Sequence, residues 1–271
     1  MGLKHAVLQA ICRLPVRGRH RLANRFGGGG TETLPIGEIT LPLDLSLEFH
    51  RYVYYGIYEG DFVAHLRRTL RPGDTFIDPG TNIGYISAVA ANLVGPAGKV
   101  IALEPSRTCH DRLKSYLAAP NLELLMAAIH SRSGKARFFD TPRVLLRGFA
   151  CLAEVEEPED GTGYEVDAWT VDDICAARGL AAVRYLKLDV EGAELMALQG
   201  ATRMLAEAAI DYILVETEFS RPVTAEINAL LAGNGYRPFK ADPSGRLHAV
   251  PVADLKQGRF DVIWASPRMP D

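Results

Sequence analysis

From Asp74 onward the chain alternates short apolar runs with amphipathic stretches, and this alternation constrains the fold more than any other feature. Apolar runs at 75–77, 100–103, 122–129, 185–188 and 212–215 read as short buried strands. Helical periodicity fills the gaps between them, at 83–93, 106–117, 191–205 and 222–231. Strand–helix–strand order requires crossover connections, which join parallel neighbours. The expectation is an α/β fold built on an open, doubly wound sheet. The C-terminal stretches YRPFKAD, RLHAVPV and FDVIWA have no helix between them. They predict a closing antiparallel hairpin in place of a last strand–helix unit.

The 271 residues suit one large domain or two. With 48% apolar and 23% charged residues the chain is neither disordered, collagen-like nor a coiled coil. A net charge of −3 gives no reason to expect nucleic acid as a partner. Cys12, Cys109, Cys151 and Cys175 form no CxxC pair, and the histidines show no HExxH or HxxxH spacing. This argues against a zinc knuckle or a histidine-built metal site and for a reduced, cytoplasmic setting. The uncharged stretch from Thr81 to Gly98 is interrupted by Gly84, Gly95 and Pro96, so no membrane span is expected.

The first 26 residues carry Lys4, Arg13, Arg17, Arg19, Arg21 and Arg25, and the first acid is Glu32. Leu3, Val7, Leu8, Ile11 and Leu14 recur at helical spacing. Such a helix suits an anionic membrane surface or a carrier protein, and equally suits packing on its own domain. Gly27 to Gly30 reads as a hinge after it.

The first site candidate is Asp78-Pro-Gly-Thr-Asn-Ile-Gly84, between the first strand of the sheet and its helix. Ligands bind there in open α/β sheets. Gly80 suits close approach of the backbone to a ligand, and Gly84 close packing of helix on strand. A dinucleotide site wants G-x-G-x-x-G facing a pyrophosphate. Here one close-approach glycine is missing and an acid stands in front. Asp78 would repel a pyrophosphate and attract an ammonium or sulfonium group. That favours S-adenosylmethionine over a nicotinamide dinucleotide. Glu104 follows Gly84 by 20 residues, at the end of the second strand, where an acid accepts hydrogen bonds from ribose hydroxyls.

The second candidate is Lys187-Leu-Asp-Val-Glu-Gly-Ala-Glu194. Leu186 and Leu188 share one face of the strand and Lys187 and Asp189 the other. A charged pair on a central parallel strand is costly unless compensated. Glu216 and Glu218 end the neighbouring strand. These carboxylates suit a general base, a divalent cation held through oxygen, or contact with the cofactor's methionine part. Glu191 and Glu194 also suit the first turn of the following helix.

Together these residues resemble the FkbM family of S-adenosylmethionine-dependent methyltransferases. The resemblance rests on residues 78–84, Gly98-Lys-Val-Ile-Ala-Leu-Glu-Pro105, Leu186–Glu194, Leu198-Gln-Gly-Ala201, Tyr58-Glu59 and Ile213-Leu-Val-Glu216. It implies a class I methyltransferase (Rossmann-like) fold with a seven-stranded sheet, and O-methylation of a hydroxyl on a sugar or secondary metabolite. Carried over by position, Asp78, Gly80, Thr81, Asn82 and Gly84 border the methionine end of the cofactor. Glu104 and Pro105 lie at the ribose, and Ala127 and Ala128 at the adenine. Glu59 contacts the cofactor or closes the site. Asp189, Glu191 and Glu216 are the catalytic candidates. Pro79 and Thr81 depart from the usual Val or Ile and Ala, the latter placing a hydroxyl at the cofactor's door. No acid follows strand three, which leaves adenine to the backbone or His130. Residues 1–30 then form a basic helix and hinge, and 31–271 the methyltransferase domain. Its lid and acceptor wall fall at 31–58 and 140–165, where Leu145, Leu146, Phe149 and Tyr164 suggest an apolar pocket and Arg143 and Arg147 an anionic acceptor. The alternatives are a nicotinamide-dependent oxidoreductase and a non-catalytic partner subunit of the same fold.

Overall fold

A computed structural model of the chain describes residues 3–12, 18–140, 150–152, 162–218, 223–255 and 259–270. Helices α1 (Leu3–Cys12) and α2 (Arg19–Phe26) precede a hairpin of β1 (Thr31–Ile36) and β2 (Ile39–Asp44), then α3 (Glu48–Tyr54) and α4 (Gly60–Thr69). The alternating region follows as β3 (Thr75–Pro79), α5 (Tyr85–Val94), β4 (Lys99–Leu103), α6 (Arg107–Leu113) and β5 (Leu122–Leu125). A second sheet draws on β6 (Ala127–Ile129), β7 (Gly134–Asp140), β8 (Ala150–Leu152) and β9 (Thr162–Trp169). The chain then returns through α7 (Val171–Ala177), β10 (Val183–Leu188), α8 (Glu194–Gln199), α9 (Thr202–Ala206), β11 (Ile210–Glu218) and α10 (Val223–Gly233). It ends in β12 (Arg237–Ala241), β13 (Leu247–Ala249) and β14 (Arg259–Ala265).

The main sheet runs β13-β12-β14-β11-β10-β3-β4-β5. Seven of these strands form the expected doubly wound sheet, and the three-residue β13 adds a short edge. β5, β4, β3, β10 and β11 pair in parallel, while β14 enters antiparallel between β11 and β12. The order steps outward from β3 in one direction and from β10 in the other. The carboxyl ends of these two strands therefore flank the crevice where such sheets bind ligands.

The sheet is buried on both faces, as short apolar strands require. Phe76, Val100, Tyr185, Tyr212 and Leu214 point to one cluster, with α4, α5 and the N-terminal helices. Ile77, Ile101, Leu186, Leu188, Ile213 and Trp264 point to the other, against α7 to α10. On the first face Tyr185 stacks between Phe76 and Tyr212, at 5.8 and 5.5 Å between ring centroids. Phe62 and His65 of α4 meet these rings edge-on, which docks α4 and fixes the chain entering it at Glu59.

Two expectations change. The run 122–129 is two strands: Met126, 42% exposed, marks where the chain leaves β4 and passes to the second sheet. The helix expected over 191–205 begins at Glu194 and is divided at Gly200. A Cβ on Gly200 would strike the His130 carbonyl oxygen, so the Leu198-Gln-Gly-Ala201 motif serves close packing between α8 and the end of β6. Residues 52–54 complete α3.

At the N-terminal side Leu8, Cys12 and Ala23 join the same buried cluster as α4 and α5. Gln9 donates to the Tyr54 carbonyl at 2.8 Å, and the Leu45 N–H to the Gly30 carbonyl at 2.9 Å. The glycine run read as a hinge thus lies against β2 and α3.

Candidate active site

The carboxyl ends of β3, β4, β10 and β11 open into a cavity of about 360 Å³. Glu59, Asp78, Gly80, Thr81, Asn82, Glu104, Pro105, Ala128, Asp189, Glu191 and Glu216 all line it. Gly84 does not: it caps α5 with φ 77° and packs on Leu113 and Leu117. Ala127 does not line it either; it points into the core beneath. His130 is likewise off the cavity, its Nδ1 accepting from the Arg132 N–H.

Glu104 is buried, and its two oxygens are separately tethered. Oε2 accepts from the Asn82 N–H at 3.0 Å and Oε1 from the Ser106 N–H at 2.9 Å. Asn82 reaches this position in the left-handed region, φ 53°. Each carboxylate oxygen keeps a further lone pair, which is the donor-accepting pattern a ribose diol needs. Burial pushes the Glu104 carboxyl up to about 8, although both N–H groups pull it down.

Asp78 ends β3 fully buried. Its Oδ2 accepts from the Ser87 hydroxyl at 2.7 Å, and Thr81 Oγ1 donates to Ser87 at 2.8 Å. The Thr81 hydroxyl is therefore turned inward to Ser87 and not toward a cofactor. Asp78 Oδ1 is buried without a hydrogen-bond partner, 4.0 Å from Lys187 Nζ. Burial raises the Asp78 carboxyl, with Lys187 opposing.

Lys187 sits between the two acids, 3% exposed and 2.9 Å from Asp189 Oδ2. Burial pulls its pKa down, but Asp189, Asp78 and Glu59 more than reverse this and hold the ammonium protonated. The cost of a charge on a central strand is thus met by carboxylates at the end of its own strand, on β3 and at the start of α4. Glu59, φ 52°, stands at the start of α4 with Oε2 buried and without a hydrogen-bond partner. Burial, then the nearby Asp261, pushes its carboxyl well above the usual range.

Gly80 takes φ +72°, and a Cβ there would lie 2.6 Å from the Asp189 carbonyl oxygen. The close approach expected toward a ligand is made to the end of β10, so this glycine locks the two halves of the site together. Beyond it Glu191 and Gly192 turn with φ 50° and 100°, while Glu194 Oε1 accepts from the Val190 and Gly192 N–H groups. Glu194 therefore braces the turn that presents Asp189 and Glu191. The side chain of Glu218 lies outside the described residues, as do Arg143, Leu145, Leu146, Arg147 and Phe149. Tyr164 bonds Asp140 at 2.6 Å and lies under the Arg107 guanidinium, away from the cavity. Among the described residues no three His, Cys, Asp or Glu side chains are grouped to hold a metal ion.

Sequence reasoning missed the aromatic lining. Phe49, Tyr85 and Phe138 line the cavity, and Tyr58, read only as a motif neighbour of Glu59, joins them. Phe49 meets Tyr58 edge-on at 4.6 Å. The cluster of rings in FHRYVYYGIYEG was the available signal, but its period did not say which ring faces a site.

The observed acceptors fit S-adenosylmethionine: a tethered acid for the diol, and buried oxygens of Asp78 and Glu59 without hydrogen-bond partners for its cationic end. The sheet order and this crevice define a class I S-adenosylmethionine-dependent methyltransferase. The model of the FkbM methyltransferase domain matches residues 78–238, and the chain belongs to that family. The nicotinamide alternative falls with this membership. The chain is 26% identical over 194 residues to the 31-O-demethyl-FK506 methyltransferase FkbM of Streptomyces tacrolimicus, covering 62% of this chain and 74% of that protein. It is 26% identical over 231 residues to the methyltransferase sdnD of Sordaria araneosa, covering 70% and 88%. The solved FkbM methyltransferase of Methylobacillus flagellatus aligns at 16% identity and a TM-score of 0.43 over 80% of this chain. The chain spans about half of that protein, 54%.

Proposed function

We propose that the protein methylates a hydroxyl oxygen of a sugar or secondary metabolite. The observation that carries this reading is that Asp189, Glu191 and Glu216 line the cofactor cavity beside the buried Lys187. A hydroxyl becomes a competent nucleophile as its proton leaves, and a placed carboxylate accepts that proton in the transition state. Asp189 is the base, oriented by its 2.9 Å bond to Lys187; Glu191 and Glu216 hold the acceptor. Bound S-adenosylmethionine would supply an electrophilic methyl group. Asp78 and Glu59 would hold its cationic end, Glu104 its ribose, and Ala128 would border its adenine. The task left to the chain is largely positioning, worth about 7–11 kcal/mol in well-oriented reactions.

The Streptomyces relative, by its name a methyltransferase of 31-O-demethyl-FK506, supports an oxygen acceptor. Phe49 and Tyr58 from 31–58 and Leu152 from 140–165 line the cavity, which supports those segments as lid and acceptor wall. The thiols of Cys12, Cys109 and Cys175 are free, which supports a cytoplasmic setting.

The test is mass spectrometry of metabolite pools incubated with methyl-labelled S-adenosylmethionine, comparing wild type with Asp189→Asn. Label on an oxygen is expected, with turnover of the variant down about 10²–10⁴-fold and cofactor affinity little changed. Label on nitrogen or carbon, or full activity of the variant, refutes the assignment.

A further inference from the structure

No described residue of the N-terminal helices lines the cavity. In α1, Leu8 and Cys12 face the core, yet Val7 and Ile11, about a quarter-turn away around the helix, are 51% and 40% exposed. They stand one turn apart with the exposed Ala10 beside them, so the outward face of α1 is apolar too. In α2, Ala23 is buried and Asn24 is bonded to Glu48 and Tyr52 of α3, which fixes the helix on the body. Its outer face shows Arg21 and Arg25, with Phe26 48% exposed and the Arg25 guanidinium 5.8 Å above the Phe26 ring. The two helices pack against each other and turn these outer faces to solvent. The first 26 residues hold six Lys and Arg and no acid, whereas the chain as a whole is net acidic.

We propose that this face docks on an anionic lipid surface, Val7, Ile11 and Phe26 entering the headgroup boundary and the basic residues pairing with lipid phosphates and carboxylates. Aliphatic and aromatic side chains beside exposed arginines are what an interfacial helix needs. A second copy is disfavoured as the occupant, because an isologous contact would set the exposed Arg21 and Arg25 against their own copies. The surface lies on elements separate from the strand ends that line the cofactor cavity, so docking leaves the cavity's lining in place.

The experiment is co-sedimentation of the full chain with vesicles of phosphatidylcholine alone and with about 30 mol% phosphatidylserine added. Binding to the anionic vesicles only is expected, and its loss at about 0.5 M salt, where screening is nearly complete over a few ångströms. Val7→Glu with Ile11→Glu, and separately Arg21→Glu with Arg25→Glu, should each lower the bound fraction about tenfold or more. Melting temperature and binding of S-adenosylhomocysteine serve as the folding controls. If the glutamates loosen α1, Val7→Ala with Ile11→Ala retains helix propensity and should still weaken binding several-fold. Failure to sediment, equal binding to neutral vesicles, or variants that bind like wild type would overturn the proposal. An acidic protein partner would give the first of these results.

Discussion

Replacing Glu104 by glutamine should separate what the residue does for the cofactor from what it does to the fold. In the ligand-free protein burial pushes this carboxyl from its ordinary 4.5 up to about 8. The folded state therefore holds the proton more tightly than the unfolded state. The associated stability is complete below pH 4.5 and is lost as the pH rises through about 8. At about 1.4 kcal/mol per pH unit, the step from pH ~5 to ~8 removes about 4 kcal/mol. Glu104→Gln cannot ionise and loses that slope. It instead sets an amide NH₂ against the N–H of Asn82 or Ser106, a fixed cost of about 1–3 kcal/mol. The variant should be less stable than wild type near pH ~5 and more stable near pH ~9. Binding moves the other way. Two hydroxyls on a carboxylate are worth about 1.5–3 kcal/mol each, so S-adenosylhomocysteine should bind about 10²–10⁴-fold more weakly. Urea denaturation across that pH range and calorimetric titration provide the two readouts. Parallel pH slopes for the two proteins would refute the raised carboxyl, and unchanged affinity would refute its role as the ribose acid.

Lys187→Met strands Asp78 and Asp189 without their cation and should cost about 3–5 kcal/mol, seen as a drop in melting temperature of about 10 °C. Adding Asp189→Asn to it should recover part of that loss. Gly200→Ala presses a methyl group onto the His130 carbonyl and should cost about 1–3 kcal/mol in denaturant melts. The control Gly233→Ala, with open space at its Cβ, should lie within about 1 kcal/mol of wild type.

Much of the fold was written locally. Short apolar runs bounded by turns are too short for a buried helix and read as strands, and helices between them favour parallel pairing, so the sheet was legible before any contact was known. Asp78 and Glu104 were legible for a related reason: a strand end followed by a glycine turn has one place to put its side chain. The closing antiparallel strands followed from the missing helix.

Tertiary structure alone decided the rest. Leu122–Ile129 has the periodicity of one strand, and nothing local says that two sheets compete for its halves. The partner at Gly80 is 109 residues away in sequence, at Asp189, and the Thr81 hydroxyl turns to Ser87 on the next helix. Lys187 is held charged by Asp78 and Glu59 from other elements as well as by its sequence neighbour Asp189, and Phe49 of α3 meets Tyr58 at the cavity wall. Patterning along the chain determines which elements form and which side chains end a strand. Which groups meet, and what charge they then hold, is set by distance and burial, and these exist only once the sheet has closed.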